Sequence, residues 1–373
     1  MPKRHGNLWD ELVSKENFEL AYRRAIKGKT KKKSIVRFNL NKDANLEVVR
    51  QSLINKTFTT AKYFSKKVFE PKERTIHILP FCPDRIVQHA LMNVLIPIYE
   101  KLFIKDSYAC IAGRGIHSGS ARTMEFMRRN NFCLKCDVSK FYPSIPHDRL
   151  KAVVRRKIKD KNVLWLIDDI IDSFPGERNI PIGNFCSQWF GNLYLNELDT
   201  FVKRELKCRD YIRYCDDFIL FSPHRETIDQ WTLQVRGFLT ARMGLVLSKC
   251  NSIPLSRGLD FLGYRHFRRH VLLRKSTVRR MSRRMPRRLS KYLSGAIGFP
   301  RFQSSVASMS GWFVWAKTHN LSLRLRLKSI ISFIEAERVR LGLASQRLAK
   351  AWALSHGGYA AFRKLPPADL RPA

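Results

Sequence analysis

Three aspartates stand where strand-forming sequence would not place charge. Asp216 and Asp217 interrupt the aromatic and β-branched run YIRYCDDFILFS, Tyr211 to Ser222. Asp137 closes a similar run in LKCDVSKFYPSI and is followed by a turn and aromatics. Carboxylates delivered by adjacent strand ends make an all-oxygen site for hard divalent cations, which keep waters for substrate phosphates. Two Mg²⁺ ions about 3.5–4 Å apart would stabilise both the attacking and the leaving oxygen of an in-line displacement at phosphorus; Mn²⁺ is the alternative ion. Taken alone, Asp216-Asp217 also fits an Asx-rich β-turn, and it is Asp137 that turns the doublet into a candidate site. The other doublet, Asp168-Asp169 in LWLIDDIIDSF, reads differently. Its apolar neighbours recur at helical spacing, so both acids are predicted on a solvated helix face.

The elements that must position these groups follow from periodicity and turn residues. YIRYCDDFILFS predicts a hairpin with a two-residue connection at Cys215-Asp216 or Asp216-Asp217. NFCLKCD predicts a strand ending near Asp137, with a break at Pro143. Residues 151–174 read as helical throughout, 183–206 as a second long helix, and a third lies around Ile228 to Met243. Toward the N-terminus, Ser34 to Phe38 reads as a strand after the basic run KGKTKKK, and FEPKERTIHILPF as two short strands around a turn. A long apolar helix starts at Asp84 and is interrupted by Pro97. The fold class expected is α+β with a split βαβ antiparallel core. GRGIHSGS, with no G-K-[ST], is a turn and helix entry rather than a phosphate loop.

Charge narrows the partners. The chain has 70 Lys+Arg against 31 Asp+Glu in 373 residues, a net charge of +39. A field of that sign calls for a polyanion, nucleic acid first. No run of about 18 apolar residues predicts a membrane span, and the first residues lack a signal-peptide core, so a cytoplasmic protein is expected. Eight scattered cysteines fit a reducing compartment. Cys133 and Cys136 form a C-x-x-C, but a strand would put them on opposite faces.

The ordered set of segments resembles a reverse transcriptase over roughly residues 30 to 345. CDVSKFYPSI resembles motif A, PIGNFCSQ (Pro181 to Gln188) motif B, YCDD (Tyr214 to Asp217) motif C, GLVLSKCNS motif D and GLDFLGY motif E. The resemblance implies a right-hand polymerase fold. Residues 1–33 would be a basic N-terminal segment, 34–135 the fingers and start of the palm, and 136–265 the palm with a fingers insertion at about 150–182. Residues 266–345 would be a basic helical thumb and 346–373 a tail. It implies Asp137, Asp216 and Asp217 as catalytic metal ligands, with the Val138 carbonyl completing a metal shell. Lys249 would protonate departing pyrophosphate. The dNTP would meet Lys72, Arg74, Tyr142 as a steric gate against a 2′-hydroxyl, Ile182, Gly183 and Gln188. Phe261, Leu262, Gly263 and Tyr264 would form the primer grip. Arg274, Lys275, Arg279, Arg280 and Arg283 would contact template–primer phosphates.

Within this superfamily, which includes group II intron and retron enzymes, Ile182-Gly183-Asn184-Phe185-Cys186-Ser187-Gln188 resembles the I-G-N-x-x-S-Q of diversity-generating retroelements. Cys186 stands where that family has threonine. The resemblance implies error-prone copying of a template-repeat RNA at adenines, an RNA/cDNA duplex as product, and a small basic multimeric accessory variability protein as partner. Isoleucine can neither donate nor accept a hydrogen bond, so Ile182 removes a contact worth about 1–3 kcal/mol of discrimination. Two other readings stay open: a retron-type or phage-defence reverse transcriptase, and a non-catalytic RNA-binding protein with a polymerase fold.

Overall fold

The computed structural model describes residues 4–69 and 73–341. Lys72 and the predicted tail therefore lie outside the described residues. In chain order the helices are α1 (Trp9–Leu12), α2 (Lys15–Ile26), α3 (Lys33–Asn39), α4 (Lys42–Ile54), α5 (Ile86–Glu100), α6 (Ile116–Arg129), α7 (Phe141–Ser144) and α8 (His147–Arg155). They continue with α9 (Lys161–Asp172), α10 (Phe185–Thr200), α11 (Arg225–Met243), α12 (Lys275–Leu293), α13 (Phe299–Phe313), α14 (His319–Arg324) and α15 (Leu327–Arg340). The strands are β1 (Phe64–Val68), β2 (Arg74–Ile78), β3 (Phe132–Val138), β4 (Tyr211–Tyr214), β5 (Asp217–Ser222), β6 (Leu247–Pro254), β7 (Leu259–Phe261), β8 (Tyr264–His266) and β9 (Val271–Leu273). They form a β1-β2 hairpin, a four-stranded sheet in the order β4-β5-β3-β6, and a three-stranded sheet β7-β8-β9.

Two compact units result. The first takes the chain up to Ile111, Leu134–Leu220 and Asp229–Asn251; the second takes Ala112–Cys133, Phe221–Ile228 and the chain from Ser252 onward.

In the first unit the core is built on α5, buried from Ile86 through Met92 without a break. A helix apolar on all sides must be enclosed, and α2 and α10 pack against it. Pro97 does not interrupt this helix, which runs on to Glu100. The proline lies three residues before that end, where it removes the hydrogen bond to the carbonyl four residues back without stopping the helix.

Two sequence expectations are corrected here. Ser34 to Phe38 belongs to helix α3, because Ile35 and Phe38, three apart, are both buried while Val36 is 51% exposed. Phe38 stacks on Tyr22 and meets Phe81 edge-on, so tertiary burial overrides the β-branched preference of Ile35-Val36. Residues 151–174 are not one helix. Asp160 accepts from the N–H groups of Asn162 and Val163 and starts α9 afresh, and its other oxygen accepts from the N–H groups of Leu8 and Trp9.

In the second unit α12, α13 and α15 close over a core of Met281, Met285, Phe302, Val306, Ile331 and Ile334. Trp312 and Trp315 pack against that core. No helix among the described residues is long and apolar enough to cross a membrane.

Candidate active site

β4 and β5 pair antiparallel with Tyr214 opposite Asp217, so Cys215 and Asp216 form the two-residue turn. Cys215 adopts φ 52°, the left-handed conformation a tight turn demands. β3 lies beside β5, and the Val138 N–H donates to the Asp216 carbonyl at 3.3 Å. The end of β3 and the turn are therefore tied together, bringing Asp137, Val138, Asp216 and Asp217 into one locality.

Beneath the turn lies a buried network that the sequence reading missed. Arg213 has no solvent exposure and donates to both oxygens of Asp199, Nε to Oδ1 at 2.8 Å and Nη2 to Oδ2 at 2.6 Å. Its Nη1 donates to Asn192 Oδ1 and to the Cys215 carbonyl, at 3.0 and 3.2 Å. The Tyr211 hydroxyl donates to Asp199 Oδ1. One guanidinium thus pins the turn that carries Asp216 to α10, with the fork geometry that suits arginine to carboxylates.

Asp217 is half-buried. Burial pushes its carboxyl up to about 6; Lys135 opposes this, and Asp137 and Asp216 reinforce it. Lys135 Nζ stands 3.5 Å from Asp217 Oδ2, while Oδ1 is buried with no hydrogen-bond partner. Asp137 is held by Ser248, whose hydroxyl lies 2.7 Å from Oδ2 and 3.0 Å from the Asp137 carbonyl. Lys135 was legible in principle, two residues before Asp137 on the same strand face. Ser248 was not, because its role depends on how β6 packs.

Among the described residues no three His, Cys, Asp or Glu side chains form a ready-made metal-binding group. The donor chemistry nonetheless fits a hard cation. All donors are oxygens, a buried one lacks a partner, and burial, reinforced by like charges, raises the proton affinity of Asp217. Cys133 and Cys136 are both buried free thiols; Cys136 Sγ lies 3.4 Å from Cys250 Sγ.

The remaining predicted residues divide into those that join this unit's site elements and those that do not. Tyr142 lies in α7 over Gly191 of α10, where an added Cβ would come within 3.1 Å of the Tyr142 and Phe141 rings. The Ile182 carbonyl accepts from the His77 N–H at 2.7 Å, fastening the motif B loop to β2, the strand that Arg74 opens. Gly183 has φ +126° and faces the His77 carbonyl so closely that a Cβ would lie 2.2 Å from it, so only glycine fits. Cys186 is fully buried against the Gln88 carbonyl, Gln188 is exposed on α10, and Lys249 is exposed beside Ser248.

In the second unit Phe261 and Tyr264 are core residues. Only Leu262 and Gly263, at φ 53° and 84°, form the turn between β7 and β8. Arg274 precedes α12, while Lys275, Arg279, Arg280 and Arg283 are exposed along it.

The Asp168-Asp169 doublet also departs from expectation. Asp168 is clamped by both terminal nitrogens of Arg155. Asp169 accepts from the Thr60 N–H and hydroxyl at 3.0 and 2.6 Å. It is a tie between α9 and the loop after α4, because a half-buried carboxylate needs donors.

The family described as reverse transcriptase (RNA-dependent DNA polymerase) matches residues 65–266. An uncharacterized 91 kDa protein in the cob intron of Schizosaccharomyces pombe is 31% identical over 136 residues, 34% of this chain and 17% of that protein. Protein YkfC of Escherichia coli is 24% identical over 276 residues, 60% of this chain and 71% of YkfC. The chain thus spans under a fifth of the first relative and most of the second. Telomerase from Candida albicans, solved in complex with a fragment of telomeric RNA, superposes with a TM-score of 0.50 at 10% identity, covering 85% of this chain and 63% of that one. This likeness supports the α+β polymerase fold.

Proposed function

Since the chain belongs to the reverse transcriptase (RNA-dependent DNA polymerase) family, matched over residues 65–266, we propose that it is a catalytically competent RNA-directed DNA polymerase using two metal ions. The single observation that carries this is the convergence of Asp137, Asp216 and Asp217 at one strand-end locality with a buried carboxylate oxygen left without a donor. Asp137, Asp216, Asp217 and the Val138 carbonyl would hold Mg²⁺ or Mn²⁺. Bound there, the ions would supply Lewis-acid stabilisation to the oxygens of phosphoryl transfer. The chain's own residues do the rest. Arg74, with Lys72, binds the triphosphate, Tyr142 sets its ring against a ribose 2′-hydroxyl, and Lys249 delivers a proton to pyrophosphate. Primer extension on an RNA template tests this. Wild type incorporates dNTPs and Asp216→Ala does not; equal activity in both would overturn it.

The finer reading is the error-prone enzyme of a diversity-generating retroelement, making cDNA from a template-repeat RNA for mutagenic retrohoming, with a small basic accessory protein. Ile182 supports it, held by its carbonyl on β2 beside Gly183 with an apolar side chain in place of a hydrogen-bonding one. Sequencing of extension products should show misincorporation opposite template adenine, lowered about 5- to 150-fold by Ile182→Gln, the range of one such contact. An unchanged error spectrum would sink the retroelement reading and leave the polymerase intact. The cob-intron relative favours a second reading, an intron-type reverse transcriptase. It predicts few errors at adenine in the wild type.

A further inference from the structure

Helix α12 presents three chemically different faces. At 100° per residue, Met281, Met285 and Tyr292 share the face turned into the core, and Met281 and Met285 are buried. Arg280, Arg284, Arg287, Arg288 and Lys291 share a second face, within an arc of about 100°. Val278, Ser282, Pro286, Leu289 and Leu293 share the third. The second face is what phosphates need. The third is not.

That third face is one wall of a groove of about 870 Å³, whose other wall is α14, α15 and the residues between them. Its apolar surface comes from Leu289, Leu293, Leu325, Ile330 and Phe333, and Arg279, Arg283, Arg324 and Arg326 line it as well. No acid lines it. Leu293 is 68% exposed at one end. From Val278 to Leu293 the wall is about 23 Å long at 1.5 Å per residue, the length of a helix of four turns.

An apolar strip this long is a poor host for a nucleic acid backbone, which carries a charge at every phosphate, when a dense basic face lies on the same helix. It suits a helix laid in a groove, with apolar anchors spaced at i, i+4 and i+7. The arginines add a charge requirement: they favour acidic residues flanking the anchors and reject basic ones. We propose that this groove docks an amphipathic α-helix of a partner protein with acidic flanks, separately from the phosphate-binding face of α12. The requirement is local, so the partner's net charge can have either sign.

Fluorescence anisotropy on the full chain tests this with three labelled probes. One is an 18-residue helical peptide with leucine at i, i+4, i+7 and i+11 and glutamate flanks. The second carries lysine in place of glutamate, and the third is a single-stranded RNA oligonucleotide. The acidic peptide should bind and the basic one should not. Leu293→Glu and Leu289→Glu should each weaken peptide binding at least tenfold, with Leu293→Glu leaving the melting temperature and dNTP incorporation unchanged. Leu293 is exposed enough that its variant reports on the surface even if Leu289→Glu perturbs folding. Arg287→Glu, on the other face, should weaken RNA binding and leave peptide affinity within twofold. Three results would overturn the proposal: no acidic-peptide binding, binding indifferent to Leu293→Glu, or RNA affinity falling with Leu293→Glu as far as with Arg287→Glu. The last would assign the groove to nucleic acid.

Discussion

Asp168-Asp169 and Asp216-Asp217 are the same dipeptide in two settings, and the protein treats them in opposite ways. The helical pair is neutralised from within: Arg155 clamps Asp168, and Thr60 gives Asp169 two hydrogen bonds. The hairpin pair is placed beside a third carboxylate with Lys135 as a partial counter-charge, and a buried oxygen of Asp217 receives no donor. At Asp217, burial, the neighbouring carboxylates and an oxygen without a donor together raise the affinity for a proton. Acidity alone does not mark a site. The missing donors do.

The sharpest way to break this comparison is to neutralise one member of each doublet. Asp217→Asn should cost about a thousandfold or more in dNTP incorporation, since charge stabilisation by bound metal is worth several kcal/mol. Asp169→Ala should leave incorporation within about threefold and instead lower stability by about 1–3 kcal/mol, the value of the hydrogen bonds from Thr60 that it removes. Primer extension and urea unfolding on both variants decide it, and similar activity losses would erase the distinction.

Next in size is the support beneath the hairpin. Asp199→Ala leaves Arg213 buried and unpaired, which should destabilise the fold by about 3–5 kcal/mol; denaturant melts measure this directly. No such network underlies Asp168-Asp169, so Arg155→Ala should cost under about 1 kcal/mol, as for a part-exposed pair.

A smaller effect is expected at Ser248. Ser248→Ala should lower kcat about 10- to 100-fold, as loss of a residue that orients a metal ligand does, and weaken Mn²⁺ binding measured by electron paramagnetic resonance. Ser248→Thr should restore both. Unchanged Mn²⁺ affinity in the alanine variant would make the hydroxyl a bystander.

The smallest effect concerns pH, away from both doublets. Burial, with Arg85, Lys29 and Arg24 nearby, lowers His89 to about 4. The unfolded chain therefore binds more protons than the folded one between about 6.5 and 4, so stability falls as pH drops through that window. His89→Phe should flatten that part of the stability–pH curve, with the ring still able to stack on Phe185 as His89 does. A slope identical to wild type would show that other groups carry the acid lability.

The sequence was most legible where local pattern and burial agree. The hairpin at Asp216, the strand into Asp137 and helix α10 all follow from period and turn chemistry. Legibility failed at α3, where packing of Ile35 and Phe38 outweighed β-branched propensity, and at the break before α9, where Asp160 caps a helix inside a helical-looking run. Tyr264 illustrates a third kind of gap. A motif E resemblance names the residue, but its ring is core and only the neighbouring Leu262-Gly263 turn connects the strands.

By itself the sequence determined the chemistry available: three carboxylates among strand residues, an apolar Ile182 beside Gly183, and a cationic excess that favours a polyanion. Only the tertiary structure decided how those groups are held. Ser248 reaches Asp137 across 111 residues, Arg213 ties the Cys215 carbonyl of the turn to Asp199 of α10, and the arginines of α12 divide between a basic face and an apolar groove. A residue's type and its neighbours in the chain fix its charge and periodicity. Its hydrogen-bond partners and its depth below the surface depend on which distant strands and helices pack against it, and those set whether a carboxylate is satisfied or left in deficit.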